Sequence, residues 1–223
     1  MTAKLCVLPV KPRAGQLLSA YSILERTCDS AAAFINAFST ARKNRGARGT
    51  PTDHEQDLLR AALVFAAAGL DSMVKQLVRD ALQKVISKDK GAKAQFTDFV
   101  QSRLRRQEQV DLRFLAEAIC AGDPTIHLQE ELKRELTGFS LQSKDQLLRA
   151  AAYFAIPADE IGEDMNRLKT VFEARNQIAH EMDIQLGQRN RGRRQRKYDT
   201  MRAHTILVLT TAVAFYTAVA KRL

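Results

Sequence analysis

From residue 59 to residue 85 an apolar side chain recurs every three or four positions: Leu59, Leu63, Ala66, Leu70, Met73, Leu77, Ala81 and Val85. That spacing is one face of an α-helix, since a strand would alternate every second residue. Between Leu63 and Leu70 the segment is apolar almost all round, which predicts a helix covered on every side at the centre of a core. Its start is marked as well. Thr52 or Asp53 can cap the first turn, and Glu55 and Asp57 place negative charge where the helix dipole favours it. Whatever the chain folds into must be assembled around this helix.

The remaining segments offer the same kind of element. Leu17, Tyr21, Leu24, Cys28, Ala32, Ile35 and Phe38 keep helical spacing and predict a first helix from about Gln16 to Ala41. Shorter helices are expected over Ala94–Arg106, Val110–Ala121, Thr125–Leu136 and Ser143–Ala155, broken by Gly122-Asp123-Pro124, Gly138 and Pro157. A long amphipathic helix should span Ala158–Met182 and a last one Asp199–Lys221. Only 10 glycines and 5 prolines interrupt the 223 residues, and no stretch alternates with a period of two. The expectation is one all-α domain over residues 1–223, a helical bundle with extra short helices in its middle.

Charge narrows the function classes. Lys and Arg outnumber Asp and Glu by 35 to 25, a net charge of +10, which favours a polyanion such as RNA, or an acidic protein, as partner. The surplus is densest at Arg189, Arg191, Arg193, Arg194, Arg196 and Lys197, six cations that begin nine residues after His180. Cations this close can displace counterions from a phosphate backbone, so these six are the candidate RNA contacts. The plain alternative is a solvated or partner-binding loop. Arg42, Lys43, Arg45 and Arg48 form a second basic segment.

Other chemistries find little support. Cys6, Cys28 and Cys120 are widely spaced, and His54, His127, His180 and His204 show no ligand spacing. A disulfide framework, a metal site and a bound cofactor are therefore not expected. Phosphate loops, dinucleotide-binding glycines and nucleophile elbows are absent from the sequence. The apolar patch at residues 1–10 is too short for a signal peptide, and the run over 205–220 falls short of the roughly 20 residues that span a bilayer. A cytoplasmic protein without a membrane role is expected. The carboxylate pairs Glu130-Glu131 and Asp159-Glu160 read as surface charge. Asp71, inside the most apolar helix, reads as a capped or salt-bridged structural group.

The residues that carry chemistry are Arg175-Asn176-Gln177-Ile178-Ala179-His180. An apolar stripe runs Ile161, Met165, Leu168, Phe172, Ala179 and Met182, and Arg175 occupies it where a leucine is expected. A fixed cation near a titratable ring suits phosphate chemistry. On an ideal helix Arg175 and His180 are roughly 140° apart. A single straight helix is thus not expected to bring both to one phosphate, whereas two antiparallel copies across a dimer axis would. The bland reading is an Arg and a His that stabilise a helix end.

The Arg175-Asn176-x-x-Ala179-His180 block resembles the Arg-x4–6-His signature of the HEPN superfamily, in the form where Asn follows Arg. The Ala-rich run Leu58–Ala66 is similar to an early helix of those proteins, and Gly138–Ser143 resembles a segment of the RiboL-PSP-HEPN subgroup. The resemblance implies a HEPN-like bundle and a metal-independent endoribonuclease, a bacterial toxin or antiviral-defence effector, acting as a homodimer with a composite cleft. It implies that Arg175 binds the scissile phosphate, that His180 handles the 2′-hydroxyl proton or the leaving oxygen, and that Asn176 orients His180 or touches the phosphate. A 2′,3′-cyclic phosphate would be the product, and an antitoxin or defence-complex partner is implied with it. Some toxin members carry Tyr two residues after the His, the target of nucleotide modification by an antitoxin. Met182 stands there in this chain. The alternative is a non-catalytic helical module that binds RNA, a nucleotide or a protein.

Overall fold

The computed structural model describes residues 4–13, 15–46, 49–105, 112–162 and 164–223. Among these residues nine helices form: α1 (Leu18–Asn44), α2 (Asp53–Lys88), α3 (Lys90–Leu104), α4 (Leu112–Cys120), α5 (Pro124–Gly138), α6 (Lys144–Tyr153), α7 (Ala158–Ile161), α8 (Met165–Glu181) and α9 (Tyr198–Ala220). The one extended pairing among them is a single antiparallel bridge from Ile184 to Arg193.

α2 is the axis of the fold. All eight residues of its predicted stripe are 0 % exposed. Thr52 caps it: its hydroxyl accepts the Glu55 N–H at 3.2 Å, and the Glu55 carboxylate accepts the Thr52 N–H at 2.8 Å. These reciprocal bonds satisfy two donors that the first turn leaves without helical partners. α1 packs along one side of α2, α9 along another, and α8 against both α2 and α9. α1 and α2 come close together at Gly69, where an added Cβ would meet the Thr27 hydroxyl at 2.0 Å. Only glycine allows the two backbones that separation.

Aromatic pairs tie the long helices together. Phe38 of α1 stacks on Tyr198 of α9 at 5.2 Å, Tyr21 meets Tyr216 edge-on at 6.0 Å, and Phe154 meets Phe215 edge-on at 5.9 Å. The shorter helices α3, α5 and α6 also pack on α2, and α4 packs on α3 and α5, with Glu135 of α5 held by Arg103 and Arg149. By length and composition α2 and α9 would each suffice to cross a membrane; here 56 % and 50 % of their apolar windows are buried within the fold, the position of core helices.

Most helix boundaries match the sequence reading within a few residues. α3 starts earlier, because Asp89 accepts the Ala92 N–H at 2.9 Å and caps it. The ends expected at Arg106 and Val110 lie outside the described residues. One expectation is corrected. The helix predicted over Ala158–Met182 is two helices, the first ending at Ile161 and the second starting at Met165. Gly162 is extended, and the Asp164 carboxylate accepts the Arg167 N–H at 2.8 Å, which starts α8 afresh. α7 is held separately, by two hydrogen bonds from Arg222 to Glu160.

Candidate functional site

α8 faces the core with Leu168, Val171, Phe172, Ala174 and Ile178. The buried stripe therefore continues through Ala174 and Ile178, and Ala179 and Met182, expected on it, are exposed. Arg175 flanks the buried face instead of interrupting it. Its stem is half-buried, with Nε enclosed and lacking a hydrogen-bond partner. Burial draws the pKa of Arg175 below the ordinary guanidinium value, and the negative charge of Asp71 opposes that shift. Asp71 is anchored in turn: it accepts the Leu141 N–H at 2.6 Å and pairs with Lys75 at 3.0 Å.

The guanidinium of Arg175 emerges at the surface between the other two motif residues. Its Nη1 donates to Asn176 Oδ1 at 3.0 Å and lies 3.4 Å from His180 Nε2. This corrects the expectation that one chain cannot bring Arg175 and His180 together. Helical side chains lean toward the N-terminus, so the His180 ring tilts back by a turn, and the long arginine reaches across the remaining angle. Asn176 and His180 are exposed, so the three groups present a fixed cation, an amide and an imidazole to solvent on one open surface.

The α8 C-terminus is held by an unusual turn. Met182 and Asp183 both adopt left-handed conformations, with φ of 51° and 60°. The Asp183 N–H returns to the Gln177 carbonyl at 2.9 Å, which closes the end of the helix. Two consecutive non-glycine residues in this region are strained, and such strain persists only where the surroundings hold it. Asp183 supplies the hold. It is fully buried, accepts from Arg60 Nε at 2.9 Å, and accepts two bonds from Arg196 at 2.5 and 2.9 Å. Burial pushes its carboxyl pKa up, but Arg196 and Arg60 outweigh that and keep it below the ordinary carboxylate range.

These contacts divide the six basic-loop candidates. Arg193 forms an ion pair with Asp57 at 2.7 Å, Arg194 reaches Glu181 at 3.3 Å, and Arg196 binds Asp183 and Gln177. Of the six candidate RNA contacts, those three are engaged in ion pairs within the chain. Among the described residues, Arg189, Arg191 and Lys197 are exposed, with no side-chain hydrogen bond or ion pair. The second basic segment divides likewise. Arg45 binds Glu55 through two hydrogen bonds at 2.8 and 2.9 Å, and Arg42 lies 3.6 Å from the same carboxylate. Lys43 is exposed, and Arg48 lies outside the described residues.

Both basic segments are thus anchored on the first two turns of α2: one through Glu55, the other through Gln56, Asp57 and Arg60. Gln56 is fully buried, accepts the Arg196 N–H at 2.6 Å and donates to Gln195 at 2.8 Å. Sequence reading overlooked Arg60, Gln56 and Asp183. The available signal was Arg60 itself, a cation amid Leu58–Leu63, which implies a buried counter-charge elsewhere.

His204 on α9 is a half-buried polar group nearby. Its Nδ1 is enclosed without a partner. Burial, then repulsion from Arg167 and Arg196, lowers its pKa. With the folded pKa below the unfolded value of about 6.5, protonation favours unfolding. Stability from this group is full above that value and falls as acidification approaches the folded pKa. Chemical unfolding of His204→Gln between pH 7.5 and 5 should show a flatter decline than the parent protein. An identical slope would remove His204 from the acid response.

Among the described residues, no group of three or more His, Cys, Asp or Glu side chains is placed to hold a metal ion. No protein-family model, curated protein or solved structure matches the chain.

Proposed function

We propose that this protein is a HEPN-type, metal-independent endoribonuclease whose reactive groups are Arg175, Asn176 and His180. The observation that supports it most is the 3.4 Å approach of Arg175 Nη1 to His180 Nε2 on an exposed surface, with Asn176 bonded to the same guanidinium. A phosphate oxygen seated on Arg175 would lie within reach of the imidazole.

In this reading the substrate's 2′-hydroxyl attacks the adjacent phosphorus while His180 accepts its proton or protonates the departing 5′-oxygen. The P–O5′ bond breaks, leaving a 2′,3′-cyclic phosphate and a 5′-hydroxyl. Arg175 stabilises the charge that gathers on the phosphoryl oxygens, and Asn176 holds the guanidinium in place. Arg189, Arg191 and Lys197 are the cations free to track the strand. A homodimer would add a second wall to a site that is open in one chain. It is not needed to join Arg175 to His180. The setting proposed from the resemblance is a cytoplasmic bacterial toxin or antiviral-defence effector, with an antitoxin or defence protein as partner.

Incubation with mixed RNA in excess EDTA tests the reading. The expected result is cleavage that survives chelation and leaves 2′,3′-cyclic phosphate ends. RNA binding without cleavage, weakened by Arg189→Ala and Arg191→Ala, would instead establish the non-catalytic module.

A further inference from the structure

Far along the sequence from the motif, the N-terminal segment crosses α1 and brings two cysteines together. Leu5 is buried in the core, and Lys11 binds Glu25 at 3.1 Å while lying 5.6 Å over the Tyr21 ring. Between these anchors Cys6 faces Cys28 of α1. Both line a cavity of about 390 Å³ together with Lys4, Tyr21 and Asp29. Both side chains open on that one cavity. Cys28 is 8 % exposed, Cys6 is half-buried, and Cys120 is exposed elsewhere on α4.

We propose that Cys6 and Cys28 are an oxidisable pair, converted to an intramolecular disulfide by a low-molecular-weight disulfide of the glutathione class. Cys6 is the attacking group. The hydrogen bond from Cys28 holds its thiol below the ordinary value against burial and the Asp29 charge, and it is the more accessible of the two. Its thiolate attacks one sulfur of the oxidant, breaking that S–S bond and releasing one glutathione thiolate. Cys28 starts with its thiol pushed up, first by its bond to Cys6 and then by burial. Once Cys6 is in a mixed disulfide, that bond and the Cys6 charge are gone, and Cys28 can lose its proton. Its thiolate then attacks the Cys6 sulfur and releases the second glutathione. Two protein thiols are oxidised and one glutathione disulfide is reduced to two thiols. Such a bond is a redox-sensing link and not a structural framework, and it would fasten the N-terminal segment to α1 covalently.

The test treats the full chain with oxidised glutathione under non-reducing conditions, followed by peptide mass mapping. The expected product is a peptide pair joining Cys6 to Cys28, lighter than the two thiol peptides by two hydrogen atoms. It should disappear in Cys6→Ser and in Cys28→Ala and persist in Cys120→Ser. Dithiothreitol should reverse it, and the oxidised protein should melt at a higher temperature than the reduced one. Glutathione retained on Cys6 with Cys28 still alkylatable in the folded protein would overturn the proposal. So would a cross-link through Cys120.

Discussion

Asp183→Ala is expected to destabilise the protein by about 3–5 kcal/mol, the loss typical when one partner of a buried ion pair is removed. Asp183 is fully buried, and the side chain of Arg60, one of its partners, is 3 % exposed. Without the carboxylate, Arg60 retains Asp57 at 3.0 Å and the Arg194 carbonyl at 2.9 Å, and Arg196 retains Gln177 at 3.0 Å. Those acceptors leave the enclosed charge short of one counter-ion. The left-handed pair at Met182 and Asp183 would also lose the contacts that hold it. Urea unfolding measures the first effect. Hydrogen exchange measures the second, through the Gln185 and Arg194 amides, which bond to Gly192 and Asp183 carbonyls at 2.9 and 2.8 Å. Asp183→Asn, which keeps shape and an acceptor but no charge, should lose less. The pH dependence has a definite sign: with the folded pKa below the unfolded value of about 3.9, the Asp183 contribution is present above that value and lost as pH falls through the folded pKa. An Asp183→Ala protein within 1 kcal/mol of its parent (on the scale of an ordinary surface change) would refute the role given to this network.

The fold and the site were legible to different degrees, for physical reasons. The α2 stripe and its Thr52 cap could be read because both depend on neighbours within one helical turn. The break before α8 was harder. The spacing of Ile161, Met165 and Leu168 survives it, and Gly162 and Asp164 signal the interruption only together. The motif was legible as residue types, but its geometry was misjudged by treating side chains as radial spokes. Arg175 reaches His180 because one side chain is long and the other leans back. Least legible were the roles of the basic loop. Arg193, Arg194 and Arg196 resemble Arg189 and Arg191 in sequence, and only the fold brings Asp57, Glu181 and Asp183 within range of the former three. A run of cations therefore overstates the charge available to a ligand.

That distinction shapes how the reaction proposed for the motif should respond to substitution. His180→Ala should lower RNA cleavage by about 100- to 10,000-fold, the usual contribution of a positioned general acid or base. Arg175→Ala should cost about 100- to 1,000-fold, comparable to losing one donor to a developing oxyanion. The double variant should be little worse than His180→Ala, because groups that act on one phosphate fail together. Asn176 and His180 are exposed, so His180→Ala should leave the melting temperature nearly unchanged. Arg175→Ala needs that control most, because its half-buried stem lies in the field of Asp71. Mixing the two single variants then separates two architectures. If each chain supplies its own Arg175–His180 pair, as the 3.4 Å approach implies, no mixed dimer contains an intact pair and activity stays at the level of the variants. If Arg175 of one chain works with His180 of the other, mixed dimers regain one intact site, and a substantial fraction of parental cleavage returns. Restored cleavage would assign the pair to the dimer axis; continued silence would place it within the chain, with a partner subunit only enclosing the strand.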